Sequence, residues 1–338
     1  MSRTPVTLTR LSTTPILEPR PNVQWERGAV LNSAVWEENG TTYLLYRAID
    51  HETGWTQENP EGGRYYTSVG LATSEDGIHF DRRPEPIIPF GFLGGTSEAQ
   101  DCRIVKIDGT YYLTYCLYDQ DIGLPSPGYS VSTDLIHWEH RGELVPFAEF
   151  GYNKNATLFP KKIGGRFALL HRPEAAAFRH LPKADFNWRT WSRGALTNEA
   201  DLPGVTLSFS DDLRHWTDTT VVIKTRENFW DDVKVGPGAP PIRTPQGWLN
   251  VYHAVDSAHT YRLGLALHDI NDPRIVLKRQ DHWILQPELD WEKHGDVDGA
   301  IFTCGALLRE GNILRVYYAG ADTKIGVAEA CLQGFLAS

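Results

Sequence analysis

One strand pattern recurs five times along this chain, and that repeat limits the possible folds more than any bulk property. Residues 41–47 (TTYLLYR), 109–115 (GTYYLTY), 165–172 (GRFALLHR), 247–253 (GWLNVYH) and 312–318 (NILRVYY) share a run of apolar and aromatic side chains behind a polar turn. The turns are of the Asn-Gly, Asp-Gly, Gly-Gly, Gln-Gly or Gly-Asn kind, dipeptides that accept positive φ and close hairpins. The intervals between the matching positions Tyr46, Tyr115, His171, Tyr252 and Tyr317 are each long enough for four strands and their loops, the content of one propeller blade. No segment keeps an apolar period of 3.6, and Pro and Gly interrupt the chain too often for long helices. The expected fold is all-β, a five-bladed β-propeller forming a single domain over 1–338. Residues 178–203, with Trp188 and Trp191, break the rhythm and read as an inserted loop. Such a loop either overhangs the channel mouth or joins a contact with a second copy of the chain, a homo-oligomer.

A second signature follows three of the copies: residues 74–80 (SEDGIHF), 132–138 (STDLIHW) and 210–216 (SDDLRHW), with a degenerate fourth at 268–273 (HDINDP). Ser-x-Asp forms turns, and the terminal ring packs on the next strand. A motif repeated in successive blades is a packing device rather than a unique site, so His79, His137 and His215 are read as structural.

Composition then narrows the function. A chain with 41% hydrophobic and 11% aromatic residues, including 11 Trp, can bury a large core and still line a pocket with rings. A net charge of -10 with scattered Lys and Arg excludes a nucleic-acid partner. Any anion bound is small and held by a few placed cations. The four Cys are far apart without a CxxC pair, and the 12 His show no HxH or HExxH spacing, so neither a metal nor an organic cofactor is expected. No apolar leader and no run of membrane-spanning length occurs, which points to a cytoplasmic protein that meets no membrane.

In a four-stranded blade the innermost strand faces the central channel, so polar residues interrupting such strands are candidates for pocket lining. They are Asn32 and Ser33, Asp101 and Arg103, Lys154 and Asn155, and Lys234; Arg47, Arg172, His253 and Asp322 end apolar strands where loops begin. Unpaired buried charge is costly, so these groups pair with one another or with a ligand. Carboxylates amid several cations suit a polar ligand with an anionic co-substrate. For Arg103, beside Asp101, and for Lys234, after Asp231 and Asp232, a salt bridge between blades is the competing reading.

At these residues the chain resembles the mannoside phosphorylases of glycoside hydrolase family 130. The matching stretches are 22–32 (NVQWERGAVLN), 43–48 (YLLYRA), 70–77 (GLATSEDG), 158–160 (LFP), 170–173 (LHRP), 236–242 (GPGAPPI) and 318–322 (YAGAD), collinear over nearly the whole chain. The resemblance implies a five-bladed propeller, in agreement with the repeat count. It implies that Asp101, in AQDCR where the family carries Glu-Asp-Pro-Arg, is the proton donor; Gln100 and Cys102 depart from that motif. It assigns Asn32, Ser33, Arg47 and Asp322 to the sugar, beside which Arg103 stands as a further substrate-binding candidate from its place in the strand, and Arg64, Lys154, Asn155, Arg172 and His253 to inorganic phosphate, the co-substrate. Lys154 stands where many relatives carry Arg, so a bidentate fork becomes a point charge.

Inverting cleavage needs an acid for the leaving oxygen and a nucleophile on the opposite face of the ring. Water needs a second carboxylate as base. Phosphate needs only cations that offset its repulsion from the acid and aim one oxygen at the anomeric carbon. The expected reaction is therefore phosphorolysis of a β-manno-oligosaccharide or other β-mannoside to α-mannose 1-phosphate. The alternatives are a β-mannosidase using Glu174 or Glu292 as base, and a sugar-binding propeller without catalysis.

Overall fold

The structure is a computed structural model that describes residues 5–51, 65–120, 125–173 and 204–337. The described strands form five antiparallel sheets, each a meander in which successive strands pair. Blade one comprises Ala29–Glu38, Thr41–His51, Tyr65–Ser74 and Asp81–Arg82. Blade two comprises Ser97–Ile107, Thr110–Asp119, Pro125–Ser132 and Glu139–Glu143, and blade three Asn153–Leu158, Phe167–Pro173, Val205–Ser210 and Thr217–Ile223. Blade four comprises Lys234–Pro237, Gly247–Val255, Tyr261–His268 and Val276–Arg279, with Ile242–Thr244 added beside Gly247–Val255. Blade five comprises Ile301–Arg309, Ile313–Gly320 and Lys324–Cys331, and is completed from the other end of the chain by Thr9–Arg10. The ring is thus closed by noncovalent pairing within one blade. The described helices are short, Asp290–Lys293 and Gln333–Leu336 among them, and no helix among the described residues is long and apolar enough to cross a membrane.

The recurring strand is the second of each blade, and its near-continuous apolar character follows from position, because a sheet packed between two neighbours is buried on both faces. Each wedge between adjacent blades holds its own cluster. Leu45 and Val69 meet Ile104 and Leu113 between blades one and two; Val105 and Leu144 meet Leu158 and Leu169 between two and three. Leu207 and Val235 pack between three and four, Leu265 and Val316 between four and five, and Tyr317 and Val327 against Val30 and Leu44 between five and one. The expected hairpin turns form with φ of 53° and 77° at Asn39 and Gly40, and 50° and 86° at Asp108 and Gly109, the signature of type I′.

Three blades carry the same peripheral staple. A Trp-acid pair, Trp25-Glu26, Trp230-Asp231 or Trp291-Glu292, precedes the innermost strand. The ring of the Trp stacks on a Tyr of the second strand, Tyr46, Tyr252 or Tyr318. The acid pairs with an Arg of the outermost strand, Arg82, Arg279 or Arg10, at 3.2, 2.5 and 2.7 Å. Opposite each Tyr in the third strand stands Gly70, Gly264 or Gly326; a Cβ there would lie 2.2–2.6 Å from the Tyr ring. In blade five the repeat position is therefore Tyr318, one residue beyond the Tyr317 that the sequence alignment selects. Tyr317 instead donates to the Gly77 carbonyl of blade one at 2.9 Å.

The Ser-x-Asp signature is structural, as expected. In each copy the Asp accepts hydrogen bonds from two following backbone N–H groups and lies 2.7–2.8 Å from the imidazole of His79, His137 or His215. Those rings point to solvent, while Trp138 and Trp216 are buried.

Candidate active site

The innermost strands of blades one, two and three each contain a bulge at the same place. Pairing skips from Leu31 to Ala34, from Gln100 to Arg103 and from Lys154 to Thr157, so extra residues on the inner strand go unpaired. The residue in left-handed backbone at each bulge is Asn32, Asp101 or Asn155, with φ of 45°, 56° and 59°. Asn and Asp are the non-glycine residues that best tolerate this region, and a bulge re-aims the side chain it carries. Three candidate residues thus owe their orientation to one repeated backbone device.

Asp101 is the centre of the arrangement. Asn32 donates its Nδ2 to Asp101 Oδ1 at 2.7 Å, and Arg47 Nη1 reaches the same oxygen at 3.3 Å. Its side chain remains 19% exposed, enough for access from the channel. Burial pushes the Asp101 carboxyl up, but the Arg47 charge, the Asn32 amide and the Arg103 and Lys154 charges together hold it below the usual carboxylate range. Asp322, with φ of 52° just beyond the strand Ile313–Gly320, behaves oppositely. Burial and the neighbouring Asp101 charge push it up to about 7, against Arg47 and Lys234. Two carboxyls whose environments drive them apart mark a proton-handling site.

Polar atoms around this pair lack partners. Asn32 Oδ1, Ser33 Oγ and Asn155 Oδ1 are buried and find no hydrogen bond among the described residues. Buried polar groups are almost always satisfied, so these three atoms have hydrogen-bonding capacity left for a polar ligand.

The cationic side is built by blades three and four. Lys154 and Arg172 are directly opposite one another across adjacent strands, a placement in which like charges destabilise a sheet unless an anion offsets them. Arg172 Nη1 lies 3.2 Å from His253 Nε2. Burial, with the Arg172, Arg103 and Lys234 charges, pushes His253 well below its ordinary range, so the ring is neutral and accepts from Arg172 through Nε2. Gly236 makes this contact possible: a Cβ there would sit 2.6 Å from the His253 ring and 3.1 Å from Arg172 Nη1.

The structure thus brings Asp101, Asn32 and Arg47 into hydrogen-bond contact, sets Ser33 in the Asn32 bulge, and couples Asp322 and Lys154 to Asp101 electrostatically. Arg172 and His253 form the second contact group, with Asn155 in the adjacent bulge. Arg64 and Glu174, like the insertion at 178–203, lie outside the described residues. Two expectations are corrected. Arg103 does not present its guanidinium to a ligand: Nε, Nη1 and Nη2 donate to the carbonyls of Gly238, Asp101 and Pro237 at 2.7, 2.7 and 3.2 Å. Glu292 is not a free base, because Arg10, Tyr318 and the N–H groups of Glu288 and Leu289 occupy its oxygens at the periphery of blade five.

Sequence reasoning undervalues three residues. Lys234 reads there as a pocket-lining candidate against a competing salt bridge and is left out of the sugar and phosphate sets, yet its charge acts on both Asp322 and His253. Gly236 is visible only as part of a matching stretch. Glu98 is buried on the Asp101 strand and held by Gln100, Gln120 and the Thr67 N–H. Its alternation with Gln100 in the strand is the available signal.

A family model described as β-1,4-mannooligosaccharide phosphorylase matches residues 30–337. A 1,2-β-oligomannan phosphorylase of Thermoanaerobacter sp. (strain X514) is 37% identical over 96% of this chain and 97% of its own length. A β-1,2-mannobiose phosphorylase of the same organism is 36% identical over 95% and 96%. Among solved structures, the β-1,2-mannobiose phosphorylase from Listeria innocua in complex with β-1,2-mannobiose superposes with a TM-score of 0.77 at 25% identity, covering 98% of both chains.

Proposed function

From the premise that the chain belongs to glycoside hydrolase family 130, we propose that the protein is an inverting β-mannoside phosphorylase acting on β-1,2-linked manno-oligosaccharides. The observation that carries the reaction type is the directly opposed pair Lys154 and Arg172, of which Lys154 acts on the Asp101 carboxylate set in its bulge and Arg172 meets His253. The linkage rests on the relatives at 36% and 37% identity, both named for β-1,2 substrates, in preference to the β-1,4 description of the broader family model.

In this reading Asn32, Ser33, Arg47 and Asp322 grip hydroxyls of the mannosyl unit. Lys154, Asn155, Arg172 and His253, together with Arg64, hold phosphate on the opposite face of the ring. Asp101 is the proton donor. The charges around Asp101 favour its ionised form, the wrong state for an acid, and the anion changes that: phosphate offsets the cations that keep Asp101 low, and sugar binding excludes water. The phosphate oxygen then forms the C1–O bond as the glycosidic C–O bond breaks, the Asp101 proton passes to the departing oxygen, and the configuration inverts to α-mannose 1-phosphate. The proton carried by the incoming phosphate restores Asp101. No metal or organic cofactor enters this scheme. We place the enzyme in the cytoplasm, where phosphate is plentiful and the buried Cys102, Cys116 and Cys304 persist as thiols.

The test runs the reaction backwards. Given α-mannose 1-phosphate and mannose or short mannosides as acceptors, the protein should release phosphate and form a β-1,2 bond. A β-1,4 product would correct the linkage, and the absence of transfer from the sugar phosphate would overturn phosphorolysis.

A further inference from the structure

Arg103 is among the largest fully buried side chains, 1% exposed, and each hydrogen bond it makes ends on a main-chain carbonyl. One of those carbonyls belongs to Asp101 itself, the residue at φ 56° on the bulge. The others, Pro237 and Gly238, lie at the end of the innermost strand of blade four, which is not adjacent to blade two in the ring. Their neighbour Gly236 pairs with His253. The guanidinium also lies 5.9 Å over the Phe302 ring, and Phe302 packs on His253 at 4.4 Å between centroids. From acid to anion side there is therefore one contiguous run: Asp101, Arg103, Phe302, His253, Arg172.

We propose that Arg103 is a positioning residue that spans the channel and fixes the Asp101 bulge relative to the His253 and Arg172 cradle, rather than a ligand-binding residue. The proposal rests on the assignment of Asp101 as acid. A planar fork with five donors in fixed geometry suits three separate carbonyls. A left-handed bulge residue is a conformation that its surroundings must hold in place. Displacement of an acid by about 1 Å costs roughly 100-fold in rate, so the fork controls turnover without touching substrate.

The experiment compares Arg103→Met, Arg103→Lys and Asp101→Asn in phosphorolysis of β-1,2-mannobiose, with each variant's folded fraction measured by thermal unfolding. For Arg103→Met, kcat should fall about 100-fold while KM for the mannoside stays within roughly twofold. The alkaline limb of its kcat/KM profile should move to higher pH, because a cation that holds the Asp101 carboxyl down is gone. Arg103→Lys keeps the charge but reaches fewer carbonyls; it should recover about a tenth of the lost rate and keep the wild-type limb. If Arg103→Met does not fold, the Lys variant decides: lowered kcat at unchanged KM supports positioning, and wild-type kcat overturns it. A raised mannoside KM at unchanged kcat would make Arg103 a substrate contact. Unchanged kcat and pH limb per folded enzyme would make it merely structural. The Asp101→Asn arm separates the premise. If that variant is inactive while the Arg103 variants behave as wild type, positioning alone fails; if it turns over normally, the acid assignment fails.

Discussion

Glu292 and Asp101 are both carboxylates beside an Arg, yet they sit in opposite situations. At the rim of blade five, Glu292 is fully buried, and both oxygens are occupied by Arg10, Tyr318 and backbone N–H groups. At the channel, Asp101 is partly exposed, with Asn32 and Arg47 meeting one oxygen, amid orphaned polar atoms on Asn32, Ser33 and Asn155. The same residue types thus have their hydrogen bonds met at the periphery and capacity left over at the axis. What separates them is whether their hydrogen-bonding capacity is met within the fold. A further contrast runs around the ring. Charged staples occupy blades four, five and one, the contiguous sector in which the chain ends are joined, whereas blades two and three use neutral contacts, Tyr115 with Ser130 and His140, and His171 with Asn153 and Ser208. Blades two and three carry Asp101, Lys154, Asn155 and Arg172.

If this division is right, axial substitutions cost activity and peripheral ones cost stability. The largest effect is expected at Asp101→Asn, which should lower kcat by about 10³-fold, within the range of general acid catalysis, with little change in unfolding temperature. Loss of folding there would break the comparison. Next, Glu292→Ala removes the buried carboxylate that holds Arg10, Tyr318 and two backbone N–H groups together and should cost about 3 kcal/mol of stability, read by denaturant unfolding, with kcat per folded enzyme unchanged. Gly236→Ala comes third: its Cβ would displace His253 and Arg172, raising the phosphate KM by roughly tenfold or more, the loss of about one charge-assisted hydrogen bond, while the mannoside KM holds.

The pH dependence sharpens the same contrast. Burial alone would raise Glu292, but Arg10 and the surrounding donors hold it below its ordinary 4.5. Its contribution is therefore present above that value and lost as pH falls through the lowered folded one. Asp322, pushed up to about 7 from 3.8, binds a proton more tightly folded than unfolded, so stability falls as pH rises through that window. Asp322→Asn should unfold at a higher temperature than wild type at pH 8 but not at pH 4, and should bind the mannoside more weakly. The smallest effect is expected at His215→Ala, an exposed turn residue, with under about 0.5 kcal/mol and no change in rate.

Much of this is legible in the sequence because propeller blades write themselves as repeats. The second strand is buried on both faces and the Asn39-Gly40 and Asp108-Gly109 turns demand positive φ, so both leave strong local marks. The inner strands show only through residues that interrupt them, and the bulges that aim Asn32, Asp101 and Asn155 have no composition of their own beyond Asn and Asp. Arg103 and Glu292 escape a sequence reading for one reason: whether a charge is satisfied depends on partners far along the chain, Gly238 for one and Arg10 for the other. The one-residue slip between Tyr317 and Tyr318 has a similar origin. The inner strand of blade five skips only from Thr303 to Gly305, which shifts the register that a pattern match assumes.

Whether the axial cations await phosphate as the nucleophile is decided by incubating the purified protein with β-1,2-mannobiose in the presence and absence of inorganic phosphate, with products followed by NMR. Cleavage is predicted only when phosphate is present, with α-mannose 1-phosphate formed in step with free mannose. Release of two mannose molecules per disaccharide at the same rate without phosphate would contradict it.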